Sequence, residues 1–261
     1  MREGHLARKT TMEDARHNML KKLFALVGGA AFVATPEAAP QPRQATDREL
    51  AAQACAGELA RLAIDADDGD PASALCALGA LAGYACQASL RARCRAAGLP
   101  ETAWLVAVTT LGGRQYFFGD ALNRLLLEEP LSLWRLAGEA ARMAGCRSLP
   151  DPGPVFREAA ASAGTRAFGV LPASLRPQPR HMPEHYLRRL WPAALARLER
   201  DCPDPAWWPV SAAIAAQGVV ASAPAAEDAC AALSLLLAAA IPMSKLDLAA
   251  PAHPPGSPAI H

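Results

Sequence analysis

The stretch "DPASALCALGALAGYACQASL" (residues 70–90) decides the fold class. An aspartate can accept hydrogen bonds from the free backbone N–H groups of a first helical turn, and proline at the next position loses nothing, because its missing N–H had no partner there. The residues from Pro71 to Leu90 carry no charge, and the pattern predicts a helix over 71–97 stopped by Gly98. Gly79 and Gly83 lie four apart, flanked by Cys76, Cys86 and Leu90, so they form a row along which a neighbouring helix can approach closely. That row reads as a packing groove rather than a ligand groove.

The same start recurs at Asp151-Pro152 and Asp204-Pro205, with variants at Met182-Pro183-Glu184 and Ala223-Pro224. It predicts helices over 152–163, 183–200 (kinked at Pro192), 206–221 and 225–240, with two more over 46–64 and 131–145. One stretch breaks the series. Trp104, Val106, Val108 and Thr110 alternate with smaller residues, Gly112-Gly113 follow, and Arg114, Tyr116 and Phe118 alternate in turn. Two alternating runs about a glycine pair predict a β-hairpin, and Asp120 is expected to cap the short helix after it.

The expected fold is therefore mainly α, a multi-helix single domain over 46–248 with one small β-hairpin near 104–118. A flexible arm with a short apolar segment (1–45) precedes it, and a disordered tail (249–261) follows. The proline-rich 164–183 connection is where a sub-boundary would fall.

Composition narrows the functions. The 26 basic and 25 acidic residues leave a net charge of +1, which offers no electrostatic footprint for a nucleic-acid backbone. Aromatic residues at 5% also supply few stacking platforms, so nucleic-acid binding is not expected. The seven cysteines (Cys55, Cys76, Cys86, Cys94, Cys146, Cys202 and Cys230) include no C-x-x-C, and most sit in apolar runs. They are expected to be buried free thiols in a reducing compartment, and no metal or cofactor is expected.

The segment at 19–40 has two lysines, an apolar run and then small residues. It reads as a short amphipathic helix with a Pro/Ala linker, or as a secretory signal if Met19 is the true start. Cytoplasmic location is expected in the first case and export in the second. The uncharged stretches 71–90 and 205–226 are rich in Ala, Gly, Ser and Gln, and "ACAALSLLLAAAIPM" (229–243) is short for a span. No integral membrane segment is expected.

"GYACQASLRA" (83–92), "YFFGDALNRLLLEEPLSLWRLA" (116–137) and "AIPMSKLD" (240–247) resemble landmarks of a widespread bacterial family of predicted, uncharacterised proteins. The resemblance covers roughly residues 48–248. It implies an intact compact domain and transfers no activity.

Three constellations could carry chemistry. Arg114, Tyr116, Asp120 and Asn123 would meet where the hairpin enters a helix start, near N–H groups able to hold an anion; the plainer reading makes Asp120 a cap, Asn123 a solvent-facing residue and Tyr116 a packing residue. In "RHMPEHYLRR" (180–189), His181 and His185 flank Glu184, but Pro183 between them leaves an i, i+4 pair unsecured and the H-E-x-x-H order is absent. Ser244-Lys245 lacks the Ser-x-x-Lys spacing of serine–lysine hydrolases, and adjacent side chains diverge. No P-loop, G-x-S-x-G or G-x-G-x-x-G is present. Trp134, Trp191, Trp207 and Trp208 are expected in the core.

The expected function is a non-catalytic accessory or adaptor role through protein–protein contacts. The alternative is a small-molecule-binding protein or enzyme with a pocket near Arg114–Asn123 and the C-terminal helices.

Overall fold

A computed structural model describes residues 46–223 and 225–249. The N-terminal arm, Pro224 and the tail from residue 250 onward lie outside the described residues, as do the expectations placed on them. Helix α1 (Asp47–Asp65) opens on a reciprocal cap. The Thr46 hydroxyl accepts from the Glu49 N–H at 3.3 Å, and the Glu49 carboxylate accepts from the Thr46 N–H at 2.6 Å. Helix α2 (Pro71–Ala96) starts as its sequence predicts, with the Asp70 carboxylate accepting from the Ser73 N–H at 2.8 Å.

A single turn (Glu101–Ala103) then leads into strands β1 (Val106–Thr109) and β2 (Gln115–Phe118), paired antiparallel with Val106 opposite Phe118. Helix α3 (Asp120–Asn123) follows and widens into a π-turn (Arg124–Glu128). Next come α4 (Leu133–Met143) and α5 (Gly153–Ala161), then the turn-rich connection, then α6 (Pro183–Asp201). A single turn (Pro205–Trp207), α7 (Trp208–Ala221) and α8 (Ala226–Met243) complete the domain.

The small displacements have local causes. Asp204 does cap a start, accepting from the Ala206 N–H at 3.1 Å, but the turn it opens is a tight one and α7 begins only at Trp208. Helix α4 starts at Leu133 because the Ser132 hydroxyl supplies the cap, accepting from the Arg135 N–H.

Helix α2 is the hub. Every residue from Ala72 to Gln87 is buried, because α1, α6, α7 and α8 all pack on it. The glycine row performs the packing its spacing predicts. A Cβ on Gly79 would lie 2.5 Å from the Leu236 carbonyl oxygen, and one on Gly83 would lie 2.7 Å from the Ala240 carbonyl carbon, so α8 rests directly on glycine backbone.

Helices α2 and α8 are both long and apolar enough to cross a membrane by length and composition. In this fold their most apolar windows are 94% and 67% buried, each largely by other helices. The run at 229–243 is longer as a helix than it reads as an apolar segment, because α8 starts three residues earlier on a turn bearing Glu227 and Asp228.

Trp191 and Trp208 are buried, Trp191 with its ring edge-on to Tyr84 at 4.7 Å, while Trp134 and Trp207 are half-buried against the core. The cysteines depart from expectation in one respect. Cys146 and Cys230 form a disulfide between the loop after α4 and the first turns of α8. The other five are free and buried, and burial pushes the Cys55 and Cys86 thiols up to about 12, which keeps them protonated and inert. The pair was not legible because its partners stand 84 residues apart and are joined only when α4 and α8 come together.

Candidate functional site

The strand-to-helix corner is built on Gly119. Its φ of 138° belongs to glycine, and a Cβ there would lie 2.9 Å from the Trp104 carbonyl oxygen. Gly119 also occupies the cap position, so Asp120 is the first residue of α3 rather than its cap. The Asp120 carboxylate makes no cap hydrogen bond and its side chain is exposed. The expected Asp120 cap is therefore corrected.

The other three members of the corner go separate ways. Tyr116 and Phe118 share one face of β2, and Arg114 stands just before the strand. Arg114 is buried and its Nη2 donates to the Glu184 carboxylate at 2.6 Å, an oxygen that also accepts from Arg188 at 2.9 Å. Glu184, read in the sequence as part of the histidine constellation, thus belongs with Arg114. The Tyr116 ring packs edge-on to Phe168 at 4.7 Å, and its fully buried hydroxyl finds no hydrogen-bond partner among the described residues. Asn123 does not face solvent: its side-chain oxygen accepts from Lys245 Nζ at 2.7 Å.

Lys245, weighed in the sequence only beside Ser244, reaches the corner through its side chain. After α8 ends, the chain lies along the free side of β2. The Phe117 N–H donates to the Lys245 carbonyl at 2.7 Å, and the Asp247 N–H to the Gln115 carbonyl at 3.3 Å, with Leu246 opposite Tyr116. The Ser244 and Lys245 side chains diverge as expected: the Ser244 hydroxyl donates back to the Ile241 carbonyl, while Lys245 runs to Asn123. Only 2% of Lys245 is exposed. Its Nζ lies 5.3 Å from the Phe156 ring centre and 5.9 Å from that of Phe118, and no described carboxylate is within ion-pair distance. Burial lowers its amine to about 8.

The contact between α2 and α8 continues past the glycine row. Gly79 rests on Leu236, Gly83 on Ala240, and Arg91 Nη1 reaches the Asp247 carboxylate at 3.3 Å. The two chains run parallel with a constant offset, and Gln87 lies one turn beyond Gly83 along α2. Gln87 is fully buried, and neither atom of its amide has a hydrogen-bond partner among the described residues. The Asn123–Lys245 hydrogen bond joins two of the segments that carry the resemblance.

The histidine constellation forms a separate, surface cluster. The exposed rings of His181 and His185 stack with centres 4.2 Å apart. Beneath them the buried Tyr186 hydroxyl donates to the Asp67 carboxylate, and the His181 N–H donates to the Tyr186 oxygen at 3.3 Å. Burial alone would raise the Asp67 carboxyl, but hydrogen bonds from Tyr186 and Ser73 outweigh it and hold the group below its usual range. Among the described residues, no three His, Cys, Asp or Glu side chains converge as a metal-binding group.

Burial, and then the neighbouring His181, lower the His185 pKa. The fold favours the neutral ring, so this contribution is present above the ordinary histidine pKa of about 6.5 and is lost as pH falls through the lower folded value. As pH drops below about 6.5, the melting temperature of the wild type is expected to fall more steeply than that of His185→Gln. Parallel slopes in a buffer series would show that the stacked pair is not coupled.

No family model, no curated protein and no solved structure matches this chain.

Proposed function

We propose that the protein is a non-catalytic adaptor that binds an extended segment of a partner protein along β1. The observation that supports this reading is the open edge of that strand. The Thr110 N–H donates to the Arg114 carbonyl at 2.8 Å, which fixes the parity of the ladder. Val106 and Val108 bond to β2, while the backbone groups of Ala107 and Thr109 point away from it. No described residue hydrogen-bonds those outward groups, and all four residues of β1 are exposed.

Val106 is 60% and Val108 43% exposed, and Leu111 in the adjoining turn projects fully into solvent. The strand carries none of the charges or prolines that blunt natural edges. Such an edge is met by a strand that supplies backbone hydrogen bonds and alternating apolar side chains. A second copy of this chain fits it less well. Four residues span only about 13 Å, far short of the contact that a stable symmetric dimer needs.

Ala107→Pro removes one outward N–H and leaves the bonds to β2 in place. With a photo-crosslinker at Leu111, the full-length protein is expected to capture one partner through an extended, alternating segment. Capture should fall at least about tenfold in Ala107→Pro at an unchanged melting temperature. Crosslinks only between copies of this chain, or equal capture by the variant, would refute the reading.

A further inference from the structure

The seven cysteines are unequally covered. Five are free and buried, and Cys146, on the loop after α4, is only 3% exposed. Cys230 alone is half-buried, on the first turns of α8 beside the exposed Glu227 and Asp228. The Cys146–Cys230 bridge therefore turns its Cys230 end toward solvent and keeps its Cys146 end covered. Thiol–disulfide exchange depends on which sulfur a thiolate can reach, so access directs attack to Cys230 and makes Cys146 the leaving side.

The leaving side has an acceptor already in place. The Cys146 sulfur lies 3.4 Å from the Ser148 carbonyl oxygen. A disulfide sulfur has no hydrogen to donate, so this carbonyl gains a bond from Cys146 only when the bridge opens and the sulfur carries a proton. At the other end the bridge holds a helix start without a side-chain cap: Ala225 occupies the cap position of α8 and supplies no such hydrogen bond. The disulfide is thus the covalent tie between the loop after α4 and an uncapped first turn.

We propose that Cys230 is a modification site for a small thiol of the glutathione class, and that its modification unties the start of α8. The thiolate of the small molecule attacks the Cys230 sulfur; a new S–S bond forms between them and the Cys146–Cys230 bond breaks. Cys146 leaves as a thiolate, takes up the proton that the small thiol released, and donates it to the Ser148 carbonyl. One disulfide replaces another, so no oxidant or reductant is consumed beyond the thiol itself. The step reverses when Cys146 attacks the mixed disulfide, its Cα being 5.4 Å from that of Cys230, within bridging reach. The site rests on no part of the adaptor reading.

The test incubates oxidised full-length protein with reduced glutathione, quenches with acid, and locates the adduct by intact-mass and peptide mass spectrometry. One glutathione is expected on Cys230, with Cys146 a free thiol, at a rate that low concentrations of urea leave unchanged. In the adduct, amide hydrogen exchange at 226–230 is expected to quicken, while that of the buried helix α2 stays as it was. Two single variants, checked for folding by circular dichroism, report on each sulfur alone. Cys146→Ser should take up glutathione from its oxidised form at Cys230 at least about tenfold faster than Cys230→Ser does at Cys146.

An adduct on Cys146, adducts shared equally between the two sulfurs, or no adduct at all would overturn the site. So would an exchange rate that climbs with urea in step with unfolding, because the bridge would then be reached only in the unfolded chain. Unchanged amide exchange at 226–230 in the adduct would refute the untying of α8. Should either variant fail to fold, the wild-type adduct and its urea dependence decide the matter alone.

Discussion

Gly83→Ala is expected to destabilise the domain by about 3 kcal/mol or more, although alanine is the better helix former by about 1 kcal/mol. The added methyl would lie 2.7 Å from the Ala240 carbonyl carbon and 2.9 Å from its Cα. Both are backbone atoms of α8 and cannot turn aside as a flexible side chain would. The two helices would have to separate, and the Arg91–Asp247 ion pair lies further along the same contact. Urea denaturation gives the measurement. A midpoint equal to or above that of the wild type would mean that α2 and α8 do not meet on the glycine row.

The second large effect concerns the Cys146–Cys230 disulfide. A crosslink over a sequence separation of 84 removes much of the freedom of the unfolded chain. Native bridges of this kind typically contribute about 2–4 kcal/mol. Cys146→Ser with Cys230→Ser is therefore expected to lose about that much stability. The loss should appear equally when the wild type is reduced, because the five remaining cysteines are buried, protonated thiols that the reductant leaves as they are. Denaturation with and without reductant checks both statements. Identical curves would show that the bridge does not close in solution.

Legibility in the sequence followed the range of the interaction. Asp70-Pro71 announces a helix start because its cap is made to Ser73, three residues on. Gly112-Gly113 announces the hairpin for the same reason of proximity. The Gly79–Gly83 row could be read as a contact face, though not which helix would fill it. Asp120 was misjudged because the neighbouring Gly119 already occupies the cap position, and only the φ of that glycine reveals it.

The candidate site was the least legible part. Asn123, Glu184 and Arg114 were singled out, but their partners lie far away in the chain: Lys245 for the first, and each other for the second and third. Lys245 was weighed only against its neighbour Ser244. Gln87 sits in an alanine-rich helix with nothing nearby to distinguish it from an ordinary surface amide. Burial makes both residues unusual, and burial is a property of the assembled helices.

The placement of α8 also sets the timing of folding. Helix α2 is the apolar hub, yet the backbone that covers its glycine face belongs to the last helix of the described domain, more than half the chain further on. Closing so distant a contact is slow compared with forming helix pairs that are adjacent in sequence. Until α8 is made and docks, a charge-free helical surface stays exposed, and that interval is when the protein is most prone to aggregate or to be engaged by chaperones. Expression conditions that slow synthesis of the last third should lengthen that exposure without changing the finished fold.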